Sequence, residues 1–446
     1  MEPIQVIALI VFLVTVGLIV WGKVDRAVVS IVGVALMIAL GVMNERAAFL
    51  FVDWNVIAIL FSIWIIATYF GQSGVPEFLA TAMLRVSRNN VAVFLTAMGV
   101  LAGFISMLVD NVVVILMMAP VVLHITKRMN VPSFPFIIWV GLAANFMGTA
   151  LLLGDLPPQM LHSVSGIEFP EFIWQMGRPS SFIILTITFL VTAFLFYQFK
   201  FKRMYSRDTL SNAVLLEIAN AKPARYIVNR SFALIVILLF LATIVAMAFR
   251  QVIGFHLGFI ALIGMIVLVL IMEIFHKKLE SPSFEDILGE LDWRALLFYV
   301  ALFALVGGID YVGLIKMIAD AMAPWFQTHL ILATTALYWV TAPIVGVVEH
   351  DAYILAFLYL IRDLAASAHI NPWPLWWALL WAGTLGSNLT VAGAPALYVA
   401  QNICEREDSC KIGLGQFFSY TVPFVVVTLA ICYLLMLIIW LIPLAT

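Results

Sequence analysis

The feature that most constrains this chain is a series of long apolar runs that carry almost no charge. A helix needs about 20 apolar residues to cross a hydrocarbon layer of roughly 30 Å. Runs of this kind recur along the sequence, for example at 4–21, 182–199, 232–248 and 417–441. Charged residues make up only 11% of the chain, against about 25% in soluble domains. The sequence therefore predicts an all-α polytopic membrane protein.

The basic residues are concentrated in a few connections, of which 200–230 is the longest. Seven Lys and Arg residues stand there against two acids. Cationic loops stay in the cytoplasm, so we expect this linker to be cytoplasmic. The shorter basic stretches at 23–26, 85–88 and 124–128 then fall on the same side. We expect an integral multi-pass protein of a bacterial-type inner membrane or of an organelle-like membrane.

Matching positions recur 239 residues apart, which indicates an internal repeat. Four matches share this offset: Asp53-Trp54 with Asp292-Trp293, Asp110-Asn111 with Glu349-His350, Pro135 with Pro374, and Gly154 with Gly393. Unrelated apolar helices would not keep a charged pair and a proline in register. We predict a first repeat at 1–199, a linker at 200–230 and a second repeat at 231–446.

The number of crossings in the first half sets the orientation of the second. The expected crossings lie near 4–21, 27–43, 55–70, 134–153 and 180–199. Because this number is odd, the second repeat starts on the opposite side of the membrane. We therefore predict inverted repeats, which in many secondary transporters create two equivalent gates around one central site.

Two neighbouring apolar segments in each half are too short for ordinary spans. In the first half they flank Asp110-Asn111 within 94–125, and in the second they flank Glu349-His350-Asp351 within 331–361. We interpret each pair as a re-entrant helical hairpin with its tip near the middle of the membrane. The alternative is two complete spans joined by a surface turn.

One further apolar segment in each half contains polar and helix-breaking residues. The interruptions lie near 134–158 and 374–400. An unwound helix frees carbonyl groups that bind cations and exposes a helix N-terminus that attracts anions. Gly and Thr could instead serve close helix packing, which does not explain the paired prolines or Asp155. We predict a broken transmembrane helix in each half.

The hairpin tips and the helix breaks define a candidate ion site. A charge buried in the membrane costs about 2.5–3.5 kcal/mol on insertion scales, so charges retained at helix breaks indicate function. A carboxylate in a low dielectric also binds a proton more tightly than in water, which permits exchange of a proton for a cation. The predicted proton-coupling residues are Asp110, Asp155, Glu349 and His350, and His350 could equally be a salt-bridge partner of its acidic neighbours. The predicted ion-binding residues are Asp110, Asn111, Asn145, Gly148, Thr149, Asp155, Glu349, His350, Asp351, Ser387, Asn388 and Thr390.

The Asp-Trp pairs have a different interpretation. Asp53 and Asp292 each precede Trp at a predicted helix start. An acid at this position caps a helix N-terminus, and Trp is typical of the membrane interface. We expect both acids to be structural.

At the hairpins and breaks the sequence resembles the ArsB/NhaD-type permeases of the ion transporter superfamily. That group contains arsenite efflux permeases, sodium/proton antiporters and the melanosomal P protein, with more distant kinship to citrate and dicarboxylate transporters. The similarity covers nearly the whole chain and includes SMLVDNVVVILMMAPVVL, ANFMGTALLLGDLPPQ and WWALLWAGTLGSNLTVAGAPA. It implies a scaffold domain and a moving transport domain, usually in a homodimer. The second hairpin departs from the family pattern, since Glu349-His350-Asp351 stands where Asp-Asn is usual.

The leading functional hypothesis is a secondary active transporter that exchanges protons for a cation such as sodium, by elevator-like alternating access. Acidic hairpin tips favour cations and disfavour anions. One alternative is efflux of arsenite or antimonite, which are neutral hydroxides at pH 7 and could require a soluble ATPase subunit. Another is sodium-coupled uptake of an anion or carboxylate, with Ser387, Asn388 and Thr390 as sodium ligands. The expected partners are the transported ion, the coupling proton and membrane lipid.

Other classes of protein are disfavoured by missing motifs. An intramembrane enzyme needs paired aspartates, a Ser with its base, or a metal motif such as His-Glu-x-x-His, and Glu349-His350 lacks a second His at helical spacing. We predict no enzyme activity, no cofactor and no metal ion. Cys404 and Cys410 could bind a soft metal, but two thiols in a cytosolic loop is the preferred interpretation. No basic stretch resembles a nucleic-acid surface, so no nucleic-acid partner is expected.

Overall fold

The computed structural model describes residues 1–87, 90–205, 223–407 and 412–445, and this part of the chain is almost entirely helical. Its strands form one small antiparallel hairpin, in which β1 (Trp174–Gln175) pairs with β2 (Arg178–Pro179). The helices up to the linker are α1 Pro3–Trp21, α2 Arg26–Ala39, α3 Glu45–Phe51, α4 Trp54–Gln72, α5 Val75–Val86, α6 Val91–Ser106, α7 Asn111–Met129, α8 Phe134–Met147, α9 Leu156–Ser165 and α10 Ser181–Met204. The main helices after the linker are α11 Arg230–Ala248, α12 Leu257–Ile274, α13 Phe284–Glu290, α14 Trp293–Tyr311, α15 Leu314–Thr328, α16 Leu330–Val345, α17 His350–Ala368, α18 Trp373–Ser387, α19 Pro395–Glu407 and α20 Leu414–Leu441.

Seven helices of the described ranges are long and apolar enough to cross a membrane. They are α1, α4, α10, α11, α12, α14 and α20. Several of them carry large apolar side chains that the protein itself leaves uncovered, such as Leu13, Leu238 and Ile438, which are 57%, 56% and 61% exposed. Exposure of these apolar surfaces to water would be unfavourable, whereas contact with lipid hydrocarbon is not. The predicted all-α polytopic membrane fold is confirmed.

The expected span at 27–43 is shorter than predicted, since α2 ends at Ala39. Gly41 takes a left-handed conformation with φ 75°, which a helix interior does not contain. The Asn44 side chain then accepts a hydrogen bond from the Ala47 amide and starts α3. A glycine turn followed by a helix cap therefore divides the apolar run.

The helix predicted as the second arm of each hairpin is longer than predicted. Helix α17 was expected to end at residue 361, where Arg362 and Asp363 begin a polar stretch, but it continues to Ala368. Arg362 stays helical because its guanidinium group lies 3.0 Å from a carboxylate oxygen of Asp310 and 2.9 Å from one of Asp363. Helices α7 and α17 both have 19 residues, which is close to the length of a full span. Of the four predicted hairpin arms, only α6 and α16 are too short for an ordinary span.

Elements 239 residues apart have closely matching bounds. Helices α3, α4 and α7 shifted by this offset give the bounds of α13, α14 and α17. The predicted caps are present, since Asp53 accepts bonds from the Asn55 and Val56 amides, and Asp292 accepts one from the Ala295 amide. The division into repeats at 1–199 and 231–446 stays a prediction, and residues 206–222 of the linker lie outside the described residues.

Packing between the two halves brings their interruptions together. Within each half, the first hairpin arm lies along the helix that precedes the break, α6 on α8 and α16 on α18. The helices that follow the breaks cross to the other half, because α9 packs against α17 and α19 packs against α7 and α8. Each half therefore contributes to the surroundings of the other half's hairpin tip.

Candidate functional site

The predicted helix breaks are present in both halves. Helix α8 ends at Met147 and α9 begins at Leu156, while α18 ends at Ser387 and α19 begins at Pro395. The chain between these helices is not helical, so each break leaves free backbone groups at two helix ends.

Two glycines allow the close backbone approach that shapes the breaks. A Cβ atom at Gly154 would lie 2.1 Å from the carbonyl oxygen of Ser106 and 2.6 Å from that of Gly148. At the equivalent Gly393 it would lie 2.5 Å from the carbonyl oxygen of Val345 and 2.6 Å from that of Ser387. These contacts match at the 239-residue offset, and no side chain larger than hydrogen fits either position.

The hairpin tips start their second arms in the same way. Asp110 caps α7 by accepting bonds from the Val112 and Val113 amides, at 3.0 and 3.3 Å. Glu349 caps α17 by accepting a 3.0 Å bond from the Ala352 amide. Only 4% of Asp110 and 6% of Glu349 is exposed. Both tips are inside the protein, and neither acid lies in open water.

Polar side chains join the two halves in a buried network that we call the polar bridge, formed by Asp155, Asn111, Asn145, Ser387, Thr384 and Thr149. The Asn111 amide donates to Asp155 Oδ2 and to Asn145 Oδ1, both at 2.9 Å. The Asn145 amide donates to Ser387 Oγ across the two halves, at 3.1 Å. The Ser387 hydroxyl then donates to the Thr384 carbonyl, at 2.8 Å.

A second link crosses between the halves a short distance away. The Thr149 hydroxyl donates to Thr384 Oγ1 at 2.8 Å, and the Thr149 carbonyl accepts a bond from Ser181 Oγ at 2.9 Å. Five predicted site residues, Asn111, Asn145, Thr149, Asp155 and Ser387, thus belong to one network. Thr384 and Ser181 also belong to it and were missed, because a single Thr or Ser in an apolar run carries no sequence signal.

The remaining predicted residues of the breaks contact backbone carbonyl groups. Gly148 lies against the Gly154 carbonyl, with 3.0 Å to an added Cβ. The Thr390 hydroxyl donates to the Gly346 carbonyl at 2.5 Å. The Asn388 amide donates to the Thr384 carbonyl at 3.2 Å, and its buried Oδ1 has no hydrogen-bond partner. That unpartnered oxygen belongs to the residue that directly follows Ser387 of the polar bridge.

Three consecutive residues of the second tip form an acid–histidine cluster, Glu349, His350 and Asp351. All three are at least 94% buried. His350 Nδ1 lies 2.9 Å from the Gly393 carbonyl oxygen, and His350 Nε2 lies 3.4 Å from Asp351 Oδ1. The assignment of Glu349 and His350 as proton carriers stays a prediction.

A cavity of about 750 Å³ opens beside the two hairpin tips and has both Asp110 and Glu349 in its wall. The wall also contains Trp64, Tyr299 and Tyr398, so the chamber combines aromatic surfaces with charged groups. Its charged lining residues are Asp25, Arg26, Glu77, Asp110, Glu290, Asp292, Arg294 and Glu349.

Arg26 is the principal site residue that sequence reasoning missed. Its guanidinium Nη1 lies 3.6 Å from Glu349 Oε1, and its guanidinium carbon lies 4.7 Å from the centre of the Phe298 ring. In the sequence Arg26 belongs to a short basic turn and was interpreted only as a topology signal. The pairing joins residues more than 300 positions apart, which no local pattern reveals.

The helices, the buried polar bridge and the charged chamber between the halves define an integral membrane protein with an internal polar site. Comparison with known families gives the class a name. The model of the citrate transporter family, CitMHS, matches residues 16–382, and the chain belongs to this family. It is therefore a multi-pass secondary transporter, and the resemblance to the ion transporter superfamily is confirmed.

Individual relatives agree with this assignment. The chain is 26% identical to a 46 kDa membrane protein of Mycobacterium leprae (strain TN), over 96% of this chain and 97% of that protein. It is 24% identical to the P protein of Homo sapiens, over 94% of this chain and 58% of the P protein. Among solved structures it is similar to MtrF of Neisseria gonorrhoeae, described as illuminating a class of antimetabolite efflux pumps. That match has a TM-score of 0.57 at 13% identity, covers 91% of this chain and 84% of MtrF, and indicates a shared fold.

Proposed function

We propose that this transporter exchanges protons for a cation, sodium in the first instance, across a site built by two inverted repeats. The observation that carries the proposal is the charge of the chamber between the hairpin tips. Six carboxylate side chains and two guanidinium groups line it. An excess of one sign of charge in a cavity raises the local concentration of ions of the opposite sign. This chamber attracts cations.

The polar bridge supplies a site where a proton and a cation can compete. Asp155 is 96% buried, and among the described residues its carboxylate accepts bonds from two uncharged donors, the Asn111 amide and the Leu156 backbone amide. No described Lys or Arg forms an ion pair with it. A buried carboxylate without a cationic partner is stabilised by binding either a proton or a metal cation. Alternate occupancy by the two ions is antiport.

Inverted repeats, re-entrant hairpins and elevator-like movement belong to this proposal. Helices α6 and α16 have 16 residues each, about 24 Å at the helical rise, which is less than the hydrocarbon thickness. Asp110 and Glu349 of the two tips share one chamber with Val391, Ala392 and Pro395 of the second helix break, as expected for a site near the membrane midplane. The cytoplasmic position of the linker and a homodimeric assembly stay predictions.

The test is proton flux in proteoliposomes that contain the purified protein and an internal pH-sensitive dye. A sodium gradient should drive proton movement in the opposite direction, and Asp155→Asn should abolish it. Asp320→Asn is the control, because Asp320 is an exposed acid on α15 whose carboxylate bonds to Ser367. Absence of sodium-driven proton flux at every pH between 5 and 9 would overturn the proposal.

A second candidate, sodium-coupled transport of a carboxylate, is favoured by the arginines in the chamber. Arg26 and Arg294 both line it, and guanidinium groups bind carboxylates in a bidentate geometry. A volume of about 750 Å³ also exceeds what a bare ion needs, and the family description names citrate. The same vesicles supplied with citrate or with arsenite distinguish the candidates. If the protein transports one of these substrates, ion movement should require that substrate.

A further inference from the structure

We infer that the acid–histidine cluster at the second hairpin tip is a binding site for a divalent transition-metal ion such as Zn²⁺ or Co²⁺. One donor atom from each of Glu349, His350 and Asp351 lies within 4.8 Å of the others. No residue of the cluster belongs to the polar bridge, and its metal-binding role does not depend on sodium exchange.

The first support is that all three residues have an oxygen or nitrogen atom that could bind a metal and accepts no hydrogen bond. Glu349 Oε1, His350 Nε2 and Asp351 Oδ1 are buried atoms without a hydrogen-bond partner in the structure. A buried polar atom without a partner costs about 1–3 kcal/mol, more if charged. Three such atoms on consecutive residues are therefore suited to bind one ion together.

The second support is the tautomer that the backbone selects for His350. The Gly393 carbonyl lies 2.9 Å from Nδ1, and a carbonyl oxygen only accepts hydrogen bonds, so Nδ1 carries the proton. In the neutral ring, Nε2 then presents a lone pair towards Asp351 Oδ1, which is also an acceptor. Metal-binding histidines commonly donate the other ring N–H to a backbone carbonyl, which orients the ring.

The third support is the spacing of the two facing acceptors. His350 Nε2 and Asp351 Oδ1 are 3.4 Å apart. Two ligands about 2.1 Å from a tetrahedral ion lie about 3.4 Å from each other. An ion between them would meet both at normal bond lengths. Imidazole with carboxylates suits Zn²⁺, Co²⁺ or Fe²⁺, whereas Mg²⁺ and Ca²⁺ prefer oxygen ligands alone.

Glu349 connects the cluster to the chamber and contributes negative charge that balances the charge of the metal ion. It belongs to the cluster and also lines the chamber, so an ion can reach the cluster from there. Arg26 approaches the same carboxylate only to 3.6 Å, which is beyond hydrogen-bond distance and leaves Oε1 able to bind a metal. Two carboxylates and a neutral imidazole place a formal charge of −2 around a divalent ion.

The test is metal binding to the purified full-length protein in nanodiscs, with any affinity tag removed. Co²⁺ should bind at one equivalent with visible absorption bands, and Zn²⁺ should displace it while Mg²⁺ and Ca²⁺ should not. In His350→Asn the new amide can keep the hydrogen bond to the Gly393 carbonyl. The variant lacks the imidazole Nε2, which is the atom that would bind the metal. We expect it to weaken binding at least as much as loss of an outer-shell partner, which costs roughly 10–100-fold.

The matched control is His162→Asn, because His162 is 94% buried and its Nδ1 lies 2.5 Å from the Ile167 carbonyl oxygen, outside any cluster of acids in the described residues. This variant should bind Co²⁺ like the unmodified protein. If His350→Asn does not fold, the zinc X-ray absorption spectrum of the unmodified protein still reports whether one imidazole and carboxylate oxygens surround the ion. Absence of stoichiometric binding, or equal binding by both variants, would overturn the inference. Sodium-driven proton flux without metal binding would reject the metal site alone, and the reverse result would reject antiport alone.

Discussion

Measuring the strength of the hydrogen bond between Asn145 and Ser387 tests most directly whether the two halves share one site. The bond is 3.1 Å long and buried. Interhelical hydrogen bonds in membrane proteins contribute about 0.6 kcal/mol on average and at most about 1.7. Because the Ser387 hydroxyl also donates to the Thr384 carbonyl, it keeps one partner when Asn145 is removed. We expect a coupling energy of about 0.5–1 kcal/mol between the two side chains.

A single substitution cannot isolate this value. Asn145→Ala also removes the acceptor of the Asn111 amide, so its total cost should be about 1–3 kcal/mol. The double-mutant cycle of Asn145→Ala with Ser387→Ala removes that contribution. Unfolding would be followed by titration with sodium dodecyl sulfate in mixed micelles. The control cycle uses Ser281→Ala, whose hydroxyl donates to the Met272 carbonyl. Coupling no larger than that of the control cycle would refute a bond between the halves.

Three further predictions concern backbone contact and charge. Gly154→Ala should lower the free energy of unfolding by about 1–3 kcal/mol in the same titration, because the added Cβ would clash with the Ser106 carbonyl. The control Gly289→Ala should not destabilise the protein, since no atom lies within 4 Å of an added Cβ there. Arg26→Gln should lower the KM for a transported cation by removing a positive charge from the chamber, and a raised KM for citrate with no sodium effect would support the carboxylate candidate instead. Arg250→Gln should cost about 3–5 kcal/mol by leaving Glu168, which is 93% buried, without its ion pair; an unchanged unfolding midpoint would contradict this.

Most of the architecture could be predicted because its signals are local. The apolar runs, the Asp caps before Trp54 and Trp293, and the Gly and Pro residues at the breaks each act on a few neighbouring residues. The 239-residue offset connected these local signals and located both helix breaks. Pro157 at the start of α9 is an example, since proline is favoured in the first helical turn and is a visible mark in the sequence.

The errors have two physical origins. The end of α17 was misplaced because the apolar segment stops at residue 361, whereas the ion pair of Arg362 with Asp310 on α14 stabilises the helix beyond it. Arg26 and Thr384 were missed because their roles depend on packing between segments that are hundreds of residues apart. The unusual tip at Glu349 was noticed as a departure from the family, but only the structure shows that donor atoms of its three residues face one another without partners.

The glycine contacts at the two breaks limit how the transporter can move. With no side chain between them, the backbone of Gly154 rests directly on the end of α6, and that of Gly393 rests in the same way on the end of α16. Neither loop can swing open without losing this contact, and the Asn145–Ser387 bond joins the two assemblies. If access alternates between the two sides of the membrane, the whole ion-binding unit must travel as one rigid body, and the hinges must lie in the segments that connect it to the rest of the protein.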